Sequence, residues 1–262
     1  MPAALPQLGK APPRQHYGEV AAKLADFIEP KRLLPQVPAS WQWGKGLEFP
    51  VYGNDTLPDC TCAAVGHHEQ VWSARAGAPE TPALEAVLEF FDYTGSMQGL
   101  GRNQGRYMAG GGIGVLDCWR NRGFSQAAPG VPAPYERILG YAVVNQLDLA
   151  EVRAAGYLFG GLYAGLALPL SAAYQWQGQG GVWSLQHSNN APGSWGGHAV
   201  NITAYGTYIT CATWGRRWRM SKSFFRTYCD ELYVALSPDW VQAGAAPSGY
   251  DQAGLLGLLT QL

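Results

Sequence analysis

Asn54-Asp55-Thr56-Leu57-Pro58-Asp59-Cys60, answered far downstream by Gly196-Gly197-His198-Ala199-Val200, is the pair of segments that decides how this chain folds. The first puts a side-chain amide six residues ahead of a cysteine that opens a helical pattern. The second puts a histidine at the start of a strand, behind two glycines. A thiol is a useful nucleophile only as the thiolate, and a helix N-terminus or an adjacent imidazolium lowers its pKa toward neutrality. An amide donor beside the thiol stabilises the oxyanion that forms when a carbonyl is attacked. Cys60 is therefore the candidate nucleophile, His198 the candidate base and Asn54 the candidate oxyanion donor.

Asp59 is a favourable N-cap, and the pattern predicts a helix over 60–76, stopped by Gly77 and Pro79. Cys60, Ala63, Ala64, His67, Val71 and Ala74 share one stripe of it, whereas Cys62 falls with Gly66 and Glu69 on a more polar side. The periodicity thus selects Cys60 over Cys62 as the thiol at a cleft. Reading both as structural thiols leaves Asn54 and the helix start unexplained.

In order and spacing these residues resemble the papain-like cysteine peptidases. The short strings Tyr52-Gly53-Asn54-Asp55, Asp59-Cys60-Thr61, Gly196-Gly197-His198-Ala199-Val200 and Thr213-Trp214-Gly215 are similar to a divergent bacterial and phage group of that superfamily. The resemblance spans residues 51–236. It implies an α+β fold, with a helical left subdomain, a β-sheet or β-barrel right subdomain, and the active-site cleft between them. It also implies that Gly111 and Gly112 line a substrate wall, with Gly197 and Trp214 on the opposite side. The family's imidazole-orienting Asn falls at Ala212, which cannot accept a hydrogen bond. Thr213, a backbone carbonyl or a water would have to hold the ring. A Cys-His dyad still carries most of the chemistry.

The rest of the composition narrows the function by exclusion. The chain has 262 residues, 47% hydrophobic and 14% charged, with a formal net charge of −1. That balance offers no electrostatic footprint for nucleic acid or anionic membrane. Arg216-Arg217-Trp218-Arg219, the densest positive cluster, reads as a solvated turn with one aromatic tucked in. The N-terminus lacks the charged and apolar regions of a secretory signal, and no apolar run reaches membrane-spanning length. These features lead us to expect a cytoplasmic protein, or one incorporated in a phage particle. Five cysteines at irregular spacing do not make a disulfide framework. His67 and His68 point about 100° apart on a helix and suit no common metal ion. Gly110-Gly111-Gly112 lacks the strand-to-helix setting of a phosphate loop, so neither metal nor cofactor is expected.

Four segments follow: a proline-rich arm over 1–45 with a short helix at 18–28, a helical part over 46–134, a β-rich part over 135–240, and a tail over 241–262. Helices are predicted over 81–93, 113–122, 148–159, 220–229 and 255–259. Strands are predicted over 138–144, 162–168 and 232–236, with a hairpin of 198–205 and 208–213. Helices followed by strands favour a segregated α+β architecture. The expected function is thiol-dependent hydrolysis of a peptide or isopeptide bond in a peptide or protein substrate. The alternative is a weak or inactive scaffold of the same fold, built into an assembly such as a phage particle. The arm is either a prosegment or a tether to an assembly partner.

Overall fold

The computed structural model describes residues 5–14, 23–24, 37–178 and 180–257, so the helix expected over 18–28 lies almost wholly outside the described residues. At the centre is α1, Cys60–Ala76, with the bounds its sequence predicts. Its first fourteen residues are all buried, Cys62 included, so the polar side expected for Cys62 does not exist. Small residues make this possible. A side chain on Gly66 would meet the Tyr52 ring at 3.0 Å and Val87 at 3.1 Å. Some polar groups of α1 are met locally: His67 Nε2 lies 2.8 Å from the Pro50 carbonyl and His68 Nδ1 lies 3.1 Å from the Ala64 carbonyl, whereas both Glu69 carboxylate oxygens are buried without a hydrogen-bond partner among the described residues. Gln70 Nε2 donates to the Glu48 carbonyl at 2.6 Å.

On one side α1 packs against α2, Leu84–Gln98, and beyond it lies α3, Val115–Asn121. Both begin later than the sequence suggests. Thr81 is not the cap of α2, and its hydroxyl instead accepts from Gln70 Nε2 at 3.4 Å. On its other side α1 packs on an open sheet. The strands are β1 (Trp41–Gln42), β4 (Gly140–Val143), β5 (Leu162–Leu168), β6 (Val182–Trp183), β7 (Gly196–Tyr205), β8 (Ile209–Thr213), β9 (Arg216–Met220) and β10 (Cys229–Leu236). A separate ribbon pairs β2 (Phe124–Ser125) with β3 (Tyr135–Glu136).

The main path runs β4-β10-β5-β7-β8-β9-β6, with β1 also paired to β7, and it does not close into a barrel among the described residues. Neighbours are antiparallel except β6 and β9. Residues 216–219, expected to be a solvated turn, and Met220, expected to open a helix, form β9. Its alternation buries Trp218 and exposes the arginines, which is the half-buried pattern of a sheet face. Helix α4, Leu149–Leu158, precedes β5, and α6, Lys222–Tyr228, precedes β10. Helix α5, Leu170–Gln177, had no prediction, and α7, Gln252–Gly257, ends the described chain.

The C-terminal end of α4 leaves carbonyls that no helical N–H can reach. Indole donors take them: Trp43 Nε1 bonds the Gly156 carbonyl at 3.0 Å, Trp72 the Phe159 carbonyl at 2.9 Å and Trp240 the Leu158 carbonyl at 2.8 Å. This ties α1, the N-terminal segment and the residues after β10 to one helix end. At the other end, Asp148 caps α4 by accepting from Ala150 and Glu151 N–H. Asp148→Ala is expected to lower stability by about 1 kcal/mol, read as a lower urea midpoint with an unchanged m-value.

Candidate active site

The start of α1 meets the start of β7. Cys60 Sγ accepts the backbone N–H of Ala199 at 3.3 Å, which sets the thiol one residue from His198. The His198 ring is fixed from two directions. Its Nε2 lies 2.7 Å from Thr213 Oγ1, and its face stacks on Trp214 with ring centroids 4.0 Å apart and planes 14° apart. Trp214 holds this pose with a φ of +43°, a left-handed conformation forced at the β8–β9 turn. The orienting hydroxyl is thus that of Thr213. Ala212 faces the other way, packed with Phe49 and Val71, as alternation along β8 requires. Nδ1 of His198 is buried with no hydrogen-bond partner among the described residues.

Asn54 is buried beside this junction, and its Nδ2 donates to the Leu57 carbonyl at 3.2 Å. Asp59 occupies the position before α1, but its side chain does not cap the helix. Its backbone carbonyl accepts from Cys62 and Ala63 N–H at 2.8 and 2.9 Å. The carboxyl is fully buried, with neither oxygen in good hydrogen-bond geometry. Burial pushes its pKa up to about 8, against the pull of the nearby Asn54 amide. The capping expectation therefore holds for the backbone and fails for the side chain.

Sequence reasoning missed what fills the cleft. Residues 7–14 run through it as a segment paired to its walls at a single bridge, Lys10 with Arg106. Lys10 N–H donates to the Gly197 carbonyl at 3.0 Å, Arg106 N–H to the Gly9 carbonyl at 2.8 Å and Ala11 N–H to the Arg106 carbonyl at 2.9 Å. Lys10 and Arg106 pair in parallel. Trp214 Nε1 donates to the Gln7 carbonyl at 3.3 Å, and Arg14 Nη1 to the Gly110 carbonyl at 3.3 Å. The approach is close enough to require glycine on both sides. A Cβ on Gly9 would fall on the Pro58 carbonyl, one on Gly105 on the Gly9 carbonyl, and one on Gly197 on the Lys10 carbonyl. Of the expected wall residues, Gly197 and Trp214 border this segment and Gly111 touches Arg14, whereas Gly112 meets nothing within 4 Å.

The segment removes the site from water. Cys60 and His198 are each 1% exposed. Burial pushes the Cys60 thiol up to about 12, although the Ala199 and Gly9 amides favour the thiolate. Burial likewise lowers His198 to about 3, with a small further push from His67. At neutral pH the covered site holds a neutral thiol and a neutral imidazole, where the sequence suggested a thiolate. The arm directs the Gly9 N–H at Sγ, so the group it offers the sulfur is a donor and not an electrophilic carbonyl carbon.

No protein-family model and no curated protein matches the sequence. The fold has solved counterparts. Xylellain, a cysteine protease from Xylella fastidiosa, superposes with a TM-score of 0.68 at 13% identity, covering 88% of this chain and 96% of that one. The cysteine protease CMS1MS2 of Carica candamarcensis, in complex with E-64, gives 0.54 at 14% identity over 76% and 99%. The cysteine protease and lectin-like domains of Cwp84, a surface layer associated protein of Clostridium difficile, give 0.55 at 10% identity over 77% of this chain and 52% of that one. The chain therefore has the papain-like α+β fold. Among the described residues no helix is long and apolar enough to cross a membrane.

Two outcomes follow from the burial. Gly9→Val should unseat the arm by collision with Pro58 and raise iodoacetamide labelling of Cys60 near neutral pH by about tenfold or more, since each pKa unit is tenfold in thiolate. Cys62, Cys118, Cys211 and Cys229 should stay unchanged in the same peptide map. Asp59 has a folded pKa above its unfolded one, so its contribution is complete below about pH 4 and is lost as pH rises toward about 8. Asp59→Asn should match the parent near pH 4 and exceed it by about 1 kcal/mol or more at pH 8 in urea unfolding.

Proposed function

We propose that this protein is a papain-like thiol hydrolase that cleaves a peptide or isopeptide bond with a Cys60–His198 dyad and is held latent by residues 7–14. The observation that carries the reading is the junction of α1 and β7. It sets the thiol at a helix N-terminus, one residue from an imidazole that Thr213 and Trp214 hold in place. With the arm displaced, water returns to the cleft and the burial that keeps both groups neutral is relieved. His198 then takes the thiol proton and Sγ attacks the carbonyl carbon. The resulting oxyanion lies near the Cys60 N–H, which has no partner within the helix, and near the Asn54 amide. Collapse breaks the C–N bond, with the leaving amine receiving the proton from His198. Water, deprotonated by His198, then hydrolyses the thioester and restores the thiol.

The arm binds through main-chain pairing and through one buried cation. Lys10 Nζ reaches Asp230 Oδ2 at 3.0 Å and Glu231 Oε1 at 2.9 Å. Removing one partner of a buried ion pair costs about 3–5 kcal/mol. Disruption of the Lys10 contacts should therefore open the cleft by about two to four orders of magnitude. In full-length Lys10→Glu, hydrolysis of a denatured protein substrate should rise by at least about tenfold over the parent. Adding Cys60→Ala should abolish it, and adding Cys62→Ala should not. A Lys10→Glu protein that labels readily at Cys60 yet cleaves nothing would instead support a papain-like scaffold serving as a structural component, for example of a phage particle.

A further inference from the structure

The Lys10 side chain sits in a built pocket of the cleft. Three adjacent strands place Ala199 of β7 opposite Gly165 of β5, and Gly165 opposite Glu231 of β10. This row leads from the residue after His198 across the sheet to two carboxylates, about 10 Å away at two strand spacings. The lysine stem lies along the row over Gly165. A Cβ there would meet Lys10 Cε at 2.5 Å, and Lys10 Cδ and Met108 Sδ at 2.8 Å. All three ammonium hydrogens find acceptors: Asp230 Oδ2, Glu231 Oε1 and, at 3.1 Å, the Ala11 carbonyl. Glu231 is held for this by Tyr233, whose hydroxyl donates to Oε2 at 2.7 Å. Burial by itself would lower the Lys10 pKa, yet Glu231 and Asp230 outweigh it and hold the ammonium above its ordinary value. Asp230 Oδ1 is buried and has no partner, which leaves an acceptor for a second N–H of a guanidinium.

We infer that Gly165, Asp230 and Glu231 form a specificity pocket that selects a substrate carrying lysine or arginine within one or two residues of the bond cleaved. The inference rests on the hydrolase reading above, and it adds the substrate class. Once the arm leaves, the pocket presents two carboxylates at the end of an apolar slot. A neutral side chain there would leave both without a counter-charge, so an unbranched isostere lacking the charge is rejected as well as an acid. The glycine at 165 sets the depth, because any side chain in that place fills the slot.

The test uses the full-length Gly9→Val/Lys10→Ala variant, in which the arm neither fits the cleft nor fills the pocket. Its binding partner is a fluorescein-labelled synthetic peptide with the sequence of residues 5–14, compared with the same peptide carrying norleucine in place of its lysine. Fluorescence anisotropy should show the lysine peptide binding at least tenfold more tightly. That difference should vanish when Asp230→Asn and Glu231→Gln are added. Gly165→Ala, which blocks the slot without changing charge and sits in a strand where alanine is ordinary, should remove it too. In parallel, peptide libraries scanned with lysine, arginine, norleucine and glutamate should be cleaved with at least a tenfold preference for the two cations at one position. Equal or absent binding of the two peptides overturns the pocket, whatever the libraries show. Cleavage without cation preference also overturns it and leaves the hydrolase reading standing. Lysine-selective binding with no cleavage of any library supports the pocket as a cation-binding site and removes the hydrolase reading.

Discussion

The seam between the first turn of α1 and the first residues of β7 is the contact on which the rest of the molecule depends. A helix buried on every face cannot be shifted along its neighbours without opening voids. Its N-terminus is therefore locked against the strand, and the Ala199 N–H bonds Cys60 Sγ. That lock fixes the height of His198, and Thr213 and Trp214 then fix the rotation of its ring. The same burial carries an electrostatic cost. Asp59 is driven toward its neutral form, and so are Cys60 and His198 while the cleft is covered.

Residues 7–14 and the cleft are complementary because glycines face carbonyls in both directions. Gly9 lies against Pro58, while Gly105 and Gly197 admit the Gly9 and Lys10 carbonyls. Steric fit and main-chain pairing hold the segment, and one buried ammonium between two carboxylates sets its register. Such a plug is strong as a unit, yet a single residue can undo it, because the buried Glu231 carboxylate, beside a partly exposed Asp230, is costly to leave without its cation. This combination, tight closure with a local weak point, is what a latent hydrolase requires in the reading proposed here.

Much of the framework was legible before any coordinates. The bounds of α1 and β5, the Asp148 cap and the hairpin of β7 and β8 follow from local patterns: caps, glycine stops and buried runs of the right length. Residues 216–219 were misread because a short stretch with three arginines looks like a turn until a neighbouring sheet edge is available to bury Trp218. Helix α5 was missed because Leu170–Gln177 lacks a cap and a strong apolar stripe. With Ala212 at the family's orienting position, the sequence left Thr213, a backbone carbonyl or a water to hold the ring, and the alternation of β8, which turns 213 toward it, decides for Thr213.

The sequence by itself determined the class of fold and nominated Cys60 and His198 as the candidate pair, since an amide, a helix-opening cysteine and a distant Gly-Gly-His strand are local signals that survive divergence. Only the tertiary structure decided what covers that pair and what lies beside it. Lys10 and Glu231 are 221 positions apart, and Gly165 lies between their segments with no local mark of its role. Their meeting depends on strand register and on the close approach of two backbones. Both are set by packing across the whole sheet, and neither leaves a periodic trace in the chain.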